Sequence, residues 1–159
     1  MARTTTHHQI IVRQGPHGVA RAERVCGEAI TPGHLLEVDS SEHYIKHDGA
    51  EEFLPRKIVA LETLTPDTIT YPTTAMIDIP YASGDTVYAG IVGPGDRAYM
   101  FLAAGYTAVE GVSQLCSAGD GTLHVNDSVS DKAVVFGVPA EDKDNSGGTA
   151  AVRVLVDVS

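Results

Sequence analysis

Residues 81–106 read YASGDTVYAGIVGPGDRAYMFLAAGY. Two Gly-Asp turns, at 82–85 and 93–96, bracket a run in which Val87, Ala89 and Ile91 fall on one face. A period of two residues held between turn residues is the pattern of a half-buried strand. The next run, 97–103, is bounded in the same way by the Ala-Gly step at 104–105.

The same cadence extends outward in both directions. Further turn signals stand at 14–18, 31–33, 47–49, 65–67, 117–121 and 144–148, with short runs of Val, Ile, Leu, Thr and Tyr between them. They predict strands at 9–13, 20–26, 35–39, 44–47, 57–63, 75–81, 85–92, 97–103, 114–118, 122–125, 132–139 and 150–158. Helix signals are weak. Acidic residues at 51–52 can open a helix, but Pro55 interrupts it and the following IVALET leans towards strand. The fold class expected is mainly β, a small β-barrel or β-sandwich with an N-terminal arm. The segments TPGHLLEV, SGDTVYAG and VEGVSQLCS echo one another, each setting a polar-glycine step before a strand. Recurrent turn chemistry alone produces such an echo, and the sequence supports a duplication inside the barrel only weakly.

The chain has 159 residues, enough for one domain. There is no Trp, so small and β-branched side chains must pack the core. Net charge is −10, unevenly spread. Residues 1–24 hold Arg3, Arg13, Arg21 and Arg24 against Glu23, which leaves a strongly acidic remainder. An acidic body argues against nucleic acid as a ligand, because phosphate binding needs a basic face. The N-terminus lacks the long apolar core of a secretory signal, and no apolar run reaches the length of a membrane helix. Cys26 and Cys116 share no motif and are expected as reduced, partly buried thiols. The division expected is an arm or edge strand over 1–24 and a β domain over 25–159, with a subdivision near 66–80. In the arm, Ile10, Ile11 and Val12 stand beside Arg13. Such a run either adds a strand to a partner's sheet or lies in its own barrel.

Candidate chemistry is sparse. Asp142-Lys143-Asp144-Asn145-Ser146-Gly147 has the opening spacing of a calcium loop. Position 12 of such a loop needs a bidentate Glu, and here it is Arg153. The stretch therefore reads as the solvated tip of a hairpin between 132–139 and 150–158. His43 and His47 would lie roughly 13 Å apart on a strand, too far for one metal. Gly90, Gly93 and Gly95 lack the Lys-Ser/Thr of a phosphate loop. Ala104-Gly105-Tyr106 matches part of a motif of trimeric dUTP-hydrolysing enzymes, but Thr107 stands where their Asp would act on water. No catalytic, metal-binding or cofactor-binding residue is expected, and no cofactor.

From residue 79 onward the chain resembles the small capsid decoration (cement, head-stabilising) proteins of tailed bacteriophages. The residues carrying the resemblance are Tyr81 with Gly84-Asp85 and Val87, then Pro94-Gly95-Asp96, 102–105, the 117–123 run SAGDGTL, and Gly137-Val138 with 152–156. The segment EAITPGHLLEV at 28–38 fits as well, and about two thirds of the chain is covered. These are turn-and-strand patterns rather than catalytic signatures. The resemblance implies a non-enzymatic virion protein on the outer capsid surface, made in the host cytoplasm, a homotrimer clamping adjacent subunits of the major capsid protein. It implies no membrane and no direct nucleic-acid contact. It transfers no contact residue. The expected capsid-contact set, from the arm itself, is Arg3, Ile10, Ile11, Val12 and Arg13.

Overall fold

The computed structural model describes residues 7, 9–50, 54, 56–63, 75–126 and 134–159. The strands, in chain order, are β1 (Ile11–Arg13), β2 (Ala20–Val25), β3 (Leu35–Val38), β4 (Tyr44–Lys46), β5 (Lys57–Ala60), β6 (Thr86–Val92) and β7 (Arg97–Leu102). They continue as β8 (Thr107–Ala108), β9 (Leu115–Ser117), β10 (Leu123–Val125), β11 (Val135–Pro139), β12 (Lys143–Asp144) and β13 (Val152–Val158). The mainly-β expectation holds. The strand expected at 75–81 is instead a 3-10 turn, Met76–Asp78. Its alternation buries Ile77 as a strand would, but only Tyr81 finds a strand-like partner there, in an isolated bridge to Ile30. The helix weighed before β5 does not include Lys57–Ala60, which is a strand.

Two closed sheets result. One runs β7-β10-β9-β11-β13, and β13 pairs back on β7 to close a five-stranded barrel, with β1 added along the first part of β7. The other runs β2-β6-β5-β3-β4 and curls until Cys26 bridges Tyr44. Closing a sheet removes its edges and encloses a small core.

The two sheets are copies of one topology. Number the strands one to five in chain order, as β2, β3, β4, β5, β6 and as β7, β9, β10, β11, β13. Both rings then read one-five-four-two-three. In both, strands one and three are parallel, at Cys26–Tyr44 and at Leu102–Leu123. Every other pairing is antiparallel.

The registers agree as well. Ala22 opposite Ala89 matches Ala98 opposite Val156, and Val25 opposite Thr86 matches Phe101 opposite Arg153. One constant offset carries Leu36 onto Leu115, Tyr44 onto Leu123 and Ile58 onto Gly137. The connections match too. The amide of Gly33 donates to Ala60 O (2.8 Å), and that of Gly111 to Pro139 O (3.0 Å). The hairpins close through Asp39 N to His43 O (2.9 Å) and Ala118 N to Thr122 O (3.0 Å). The isolated Ile30–Tyr81 bridge corresponds to the β8–β12 ladder. The chain carries the same five-stranded barrel topology twice in tandem.

Each barrel has its own interior. Cys26, Leu36, Tyr44, Ile58, Ala60, Val87 and Ala89 fill the first. Ala98, Met100, Leu102, Leu115, Leu123, Val154 and Val156 fill the second, and this core continues into Leu35, Val59, Leu61 and Val92 on the outer face of the first sheet. The repeats are therefore joined by apolar packing, worth about 25 cal/mol per Å² removed from water. Cys26 and Cys116 are both buried free thiols.

The matched hairpins expose one strained position. Glu42 has φ 62°, and its counterpart Gly121 has φ 80°. A side chain in this region costs about 1–2 kcal/mol, offset in part by the greater unfolded-state freedom of glycine. Glu42→Gly is expected to raise stability by about 0.5–1 kcal/mol, read as a higher urea midpoint at unchanged slope.

Candidate functional site

The N-terminal segment carried the expected contact residues. Arg3 lies outside the described residues. Ile11, Val12 and Arg13 form β1, paired antiparallel with β7 through Ile11–Ala98 and Arg13–Arg97. Of the two uses open to this run, the structure adopts the strand within its own barrel. Ile10 is 0% exposed and part of the core. Its amide donates to Glu62 Oε2 (3.1 Å) and its carbonyl accepts from Tyr99 N (2.8 Å). Ile10 thus has no surface of its own to present to a partner. Ile11 and Val12 are half-buried and Arg13 is exposed. β1 becomes the edge of its sheet, with its far side unpaired among the described residues. Residues 20–24, grouped with the arm by charge, make up most of β2.

The arm is pinned by charge as well. Arg13 Nη2 lies 3.2 Å from Asp157 Oδ1, and Arg97 holds the same carboxylate with Nε at 2.6 Å and Nη2 at 2.7 Å. The Arg97 hydrogen bonds keep Asp157 below the usual carboxylate range. A two-pronged guanidinium contact of this kind fixes orientation more firmly than a lone ammonium.

The calcium-like stretch has other work. Asp142 Oδ1 accepts from Glu110 N (2.8 Å). Asp144 Oδ1 accepts from Thr107 Oγ1 (2.8 Å) and Ser146 N (3.0 Å), and these bonds lower its pKa to about 2. Asn145 is buried, and its Nδ2 donates towards Leu102 O, Ala103 O and Ala150 O at 3.4, 3.1 and 3.0 Å. The solvated-tip reading needs correction. β11 and β13 do pair antiparallel, but the connection between them is sewn to β8 through β12. Two-residue strands are too short to show alternation, so sequence periodicity could not reveal them.

His43 and His47 diverge. His43 Nδ1 is 3.7 Å from Asp39 Oδ2 near the surface. His47 is buried, with Nδ1 2.8 Å from Ser117 Oγ and Nε2 3.7 Å from Glu37 Oε2. A Ser-His-Glu line suggests a nucleophile and base. Here the Ser117 residue is 1% exposed and its Oγ accepts from Gly119 N (3.3 Å). Buried and already engaged, it staples the second repeat to the first. Among the described residues no three His, Cys, Asp or Glu side chains converge as a metal site.

The remaining chemistry lies where the repeats meet. Arg153 lies over Phe101 (4.3 Å to the ring centroid) and Tyr99 (5.6 Å), and bonds Asp78 Oδ1 and Ile77 O. His34 faces Phe101 with ring centroids 5.0 Å apart, and its Nδ1 accepts from Thr31 N (3.1 Å). Burial, then the positive charge of Lys46, lowers the pKa of His34 to about 4, so it is neutral at pH 7. A groove of about 340 Å³ opens on the outer face of the first repeat beside Arg21, Glu23, Leu61, Glu62 and Tyr88. The sequence signalled none of this inter-repeat cluster; only the Gly33 and Gly111 turns hinted at matched units.

Truncating Ile10 tests whether the arm belongs to the fold. Ile10→Ala is expected to cost about 2–5 kcal/mol, measured by denaturant unfolding. A loss below about 0.5 kcal/mol, the range of surface substitutions, would show that the segment is not part of the core.

No family model matches the chain, and no curated protein matches it. Among solved structures, the chain is similar to the head fibre gp8.5 N base of bacteriophage phi29. The identity is 15% and the TM-score 0.48, over 89% of this chain and 94% of that one.

Proposed function

We propose that this protein is a structural component of a tailed-phage virion. It binds the outer capsid surface as a homotrimer and stabilises the shell by clamping adjacent subunits of the major capsid protein. The observation that carries this reading is where the residues of the resemblance sit. They are the residues that shape the two barrels. Asp96 of the Pro-Gly-Asp turn is buried and accepts from Gly15 N (2.7 Å) and Gly93 N (2.9 Å). Asp85 accepts from Ala82 N (2.8 Å), and Asp120 from Thr122 N (2.9 Å). Side-chain oxygens that tie turns shut are determinants of shape. The shared pattern therefore points to a shared barrel.

Physical chemistry favours a clamp over a catalyst. The polar side chains that come together join strands and repeats. A clamp needs shape, rigidity and several attachment points, because linked contacts multiply in effect once the first is made. Interfaces of this kind bury on the order of 1,200–2,000 Å². The acidic body and mildly basic segment 1–24 suit an acidic partner surface approached by the N-terminus. Of the described arm residues, Arg13 is the exposed one, while Ile10 is committed to the core.

Co-sedimentation with empty expanded capsids of the cognate phage tests the proposal. The protein is expected to pellet with shells in many copies each and to raise their melting temperature. Removing residues 1–6, which leaves Ile10 and β1 in place, is expected to weaken pelleting without altering the circular dichroism spectrum. Failure to pellet with either mature or immature shells would contradict the proposal. Occupancy of only a few sites per shell would identify a head-fibre or tail-base module instead.

A further inference from the structure

The contact between the two repeats is directional. The first repeat offers its front, the turn 31–34 with the adjoining ends of β3 and β4. The second repeat offers its back, the outer face of β7 and β13 with the hairpin tip 118–121. Pro32 and Gly33 are buried there. A Cβ built on Gly33 would lie 2.6 Å from Arg153 Nη1 and 3.0 Å from Tyr99 O. His34 meets Phe101. Leu35 N donates to Gly121 O (2.7 Å), and Gly121 N to His47 O (3.1 Å).

The reverse contact is not made. The front of the second repeat is the turn 109–112, where Val109 N–H is bonded by Ser113 Oγ and Val112 N donates to Val109 O (3.1 Å), as His34 N does to Thr31 O. Val112 is 76% exposed, and a Cβ on Gly111 would meet nothing within 4 Å. The back of the first repeat is also uncovered among the described residues. By register, Glu23 and Tyr88 stand where Tyr99 and Leu155 stand in the second repeat, and Val25 and Thr86 where Phe101 and Arg153 stand. Its hairpin tip is 39–42, next to Val38.

The large hydrophobic residues exposed among the described residues are Val25, Val38, Val109 and Val112. All of them fall on these two unused surfaces. Val109 and Val112 are on the open front, Val25 and Val38 on the open back. The equivalence that matches His34 with Val112 and Phe101 with Val25 turns the half-buried His34–Phe101 contact into a Val112–Val25 contact. Two exposed apolar side chains, each costly in water, would cover one another.

We infer that the open front of one chain docks on the open back of a second copy, repeating between molecules the contact already made within each. The contact is heterologous, front to back, so it propagates from chain to chain, as a ring if the rotation closes and as an open filament if it does not. Arg21 is an exposed cation in the groove at the back, and Glu110 and Asp142 are exposed carboxylates at the open front. Charge complementarity of this sort steers register. The inference stands on the duplication and does not require the capsid reading; only a ring of three chains rests on that reading.

Sedimentation equilibrium of the full chain tests it, with Val112→Asp blocking the front and Val25→Asp blocking the back. Both positions are exposed, so both variants are expected to keep the wild-type circular dichroism spectrum. Wild type should sediment as an oligomer, and each variant alone should fall to the mass of one chain. An equimolar mixture should regain mass up to two chains and no further, because it retains one good front and one good back. A monomeric wild type, an oligomer that keeps its mass in either variant, a variant that dimerises alone, or a mixture that gains no mass would each overturn the inference. Capsid pelleting is a separate readout, so failure of one reading does not mask failure of the other.

Discussion

The turn at Gly33 is the constraint on which the molecule's arrangement depends. Its φ of 98° puts the backbone where an L side chain is strained, and its amide still reaches Ala60 O. The absent side chain lets the turn press against Tyr99 and the Arg153 guanidinium of the second barrel. Around that point sit the His34–Phe101 contact, the Arg153–Asp78 pair and the buried Ile77. With the Ser117–His47 contact and the backbone bonds at Gly121, that approach holds the two barrels as one body. The core runs continuously there from Met100 to Val59.

Much of the strand order was legible in the sequence. Runs such as 86–92 and 97–102 alternate cleanly and are closed by glycine turns, so period and punctuation agree. The duplication was barely legible. Topology and register survive in both repeats, but the side chains have diverged: Cys26 answers to Leu102, Tyr44 to Leu123, and Ile58 to Gly137. Volume is redistributed among positions, which barrel interiors tolerate when the total is kept. The echo between TPGHLLEV and VEGVSQLCS was the surviving trace, and it marks the same step in both repeats. The 3-10 turn at Met76–Asp78 was hidden because a buried residue between two less buried neighbours looks the same in a turn and in a strand.

The arm shows where residue patterns stop being decisive. Ile10-Ile11-Val12 has the composition of a strand, and composition does not say whose sheet it joins. Pairing with β7 buries Ile10 and brings Arg13 to Asp157, so one segment satisfies both its apolar and its charged side chains at home. What is left for an external partner is the edge of β1, the residues before it, and the uncovered faces at the two ends of the tandem. Val109 and Val112 at one end, and Val25 and Val38 at the other, are the exposed large hydrophobics among the described residues. The protein's polar networks hold shape, as the Asp96 and Asn145 side chains illustrate by spending their hydrogen bonds on backbone groups.

The close approach at Gly33 helps to hold the two barrels as one body. The direct test compares Gly33→Ala with Gly84→Ala by calorimetric unfolding. Gly84 has φ 94°, close to that of Gly33, but a Cβ there would meet nothing within 4 Å. Both substitutions carry the same backbone strain, and only Gly33→Ala forces the repeats apart. Gly33→Ala is expected to lose about 1–3 kcal/mol more than Gly84→Ala, and its single transition to broaden or split as the barrels uncouple. Equal losses with a single sharp transition in both would contradict it.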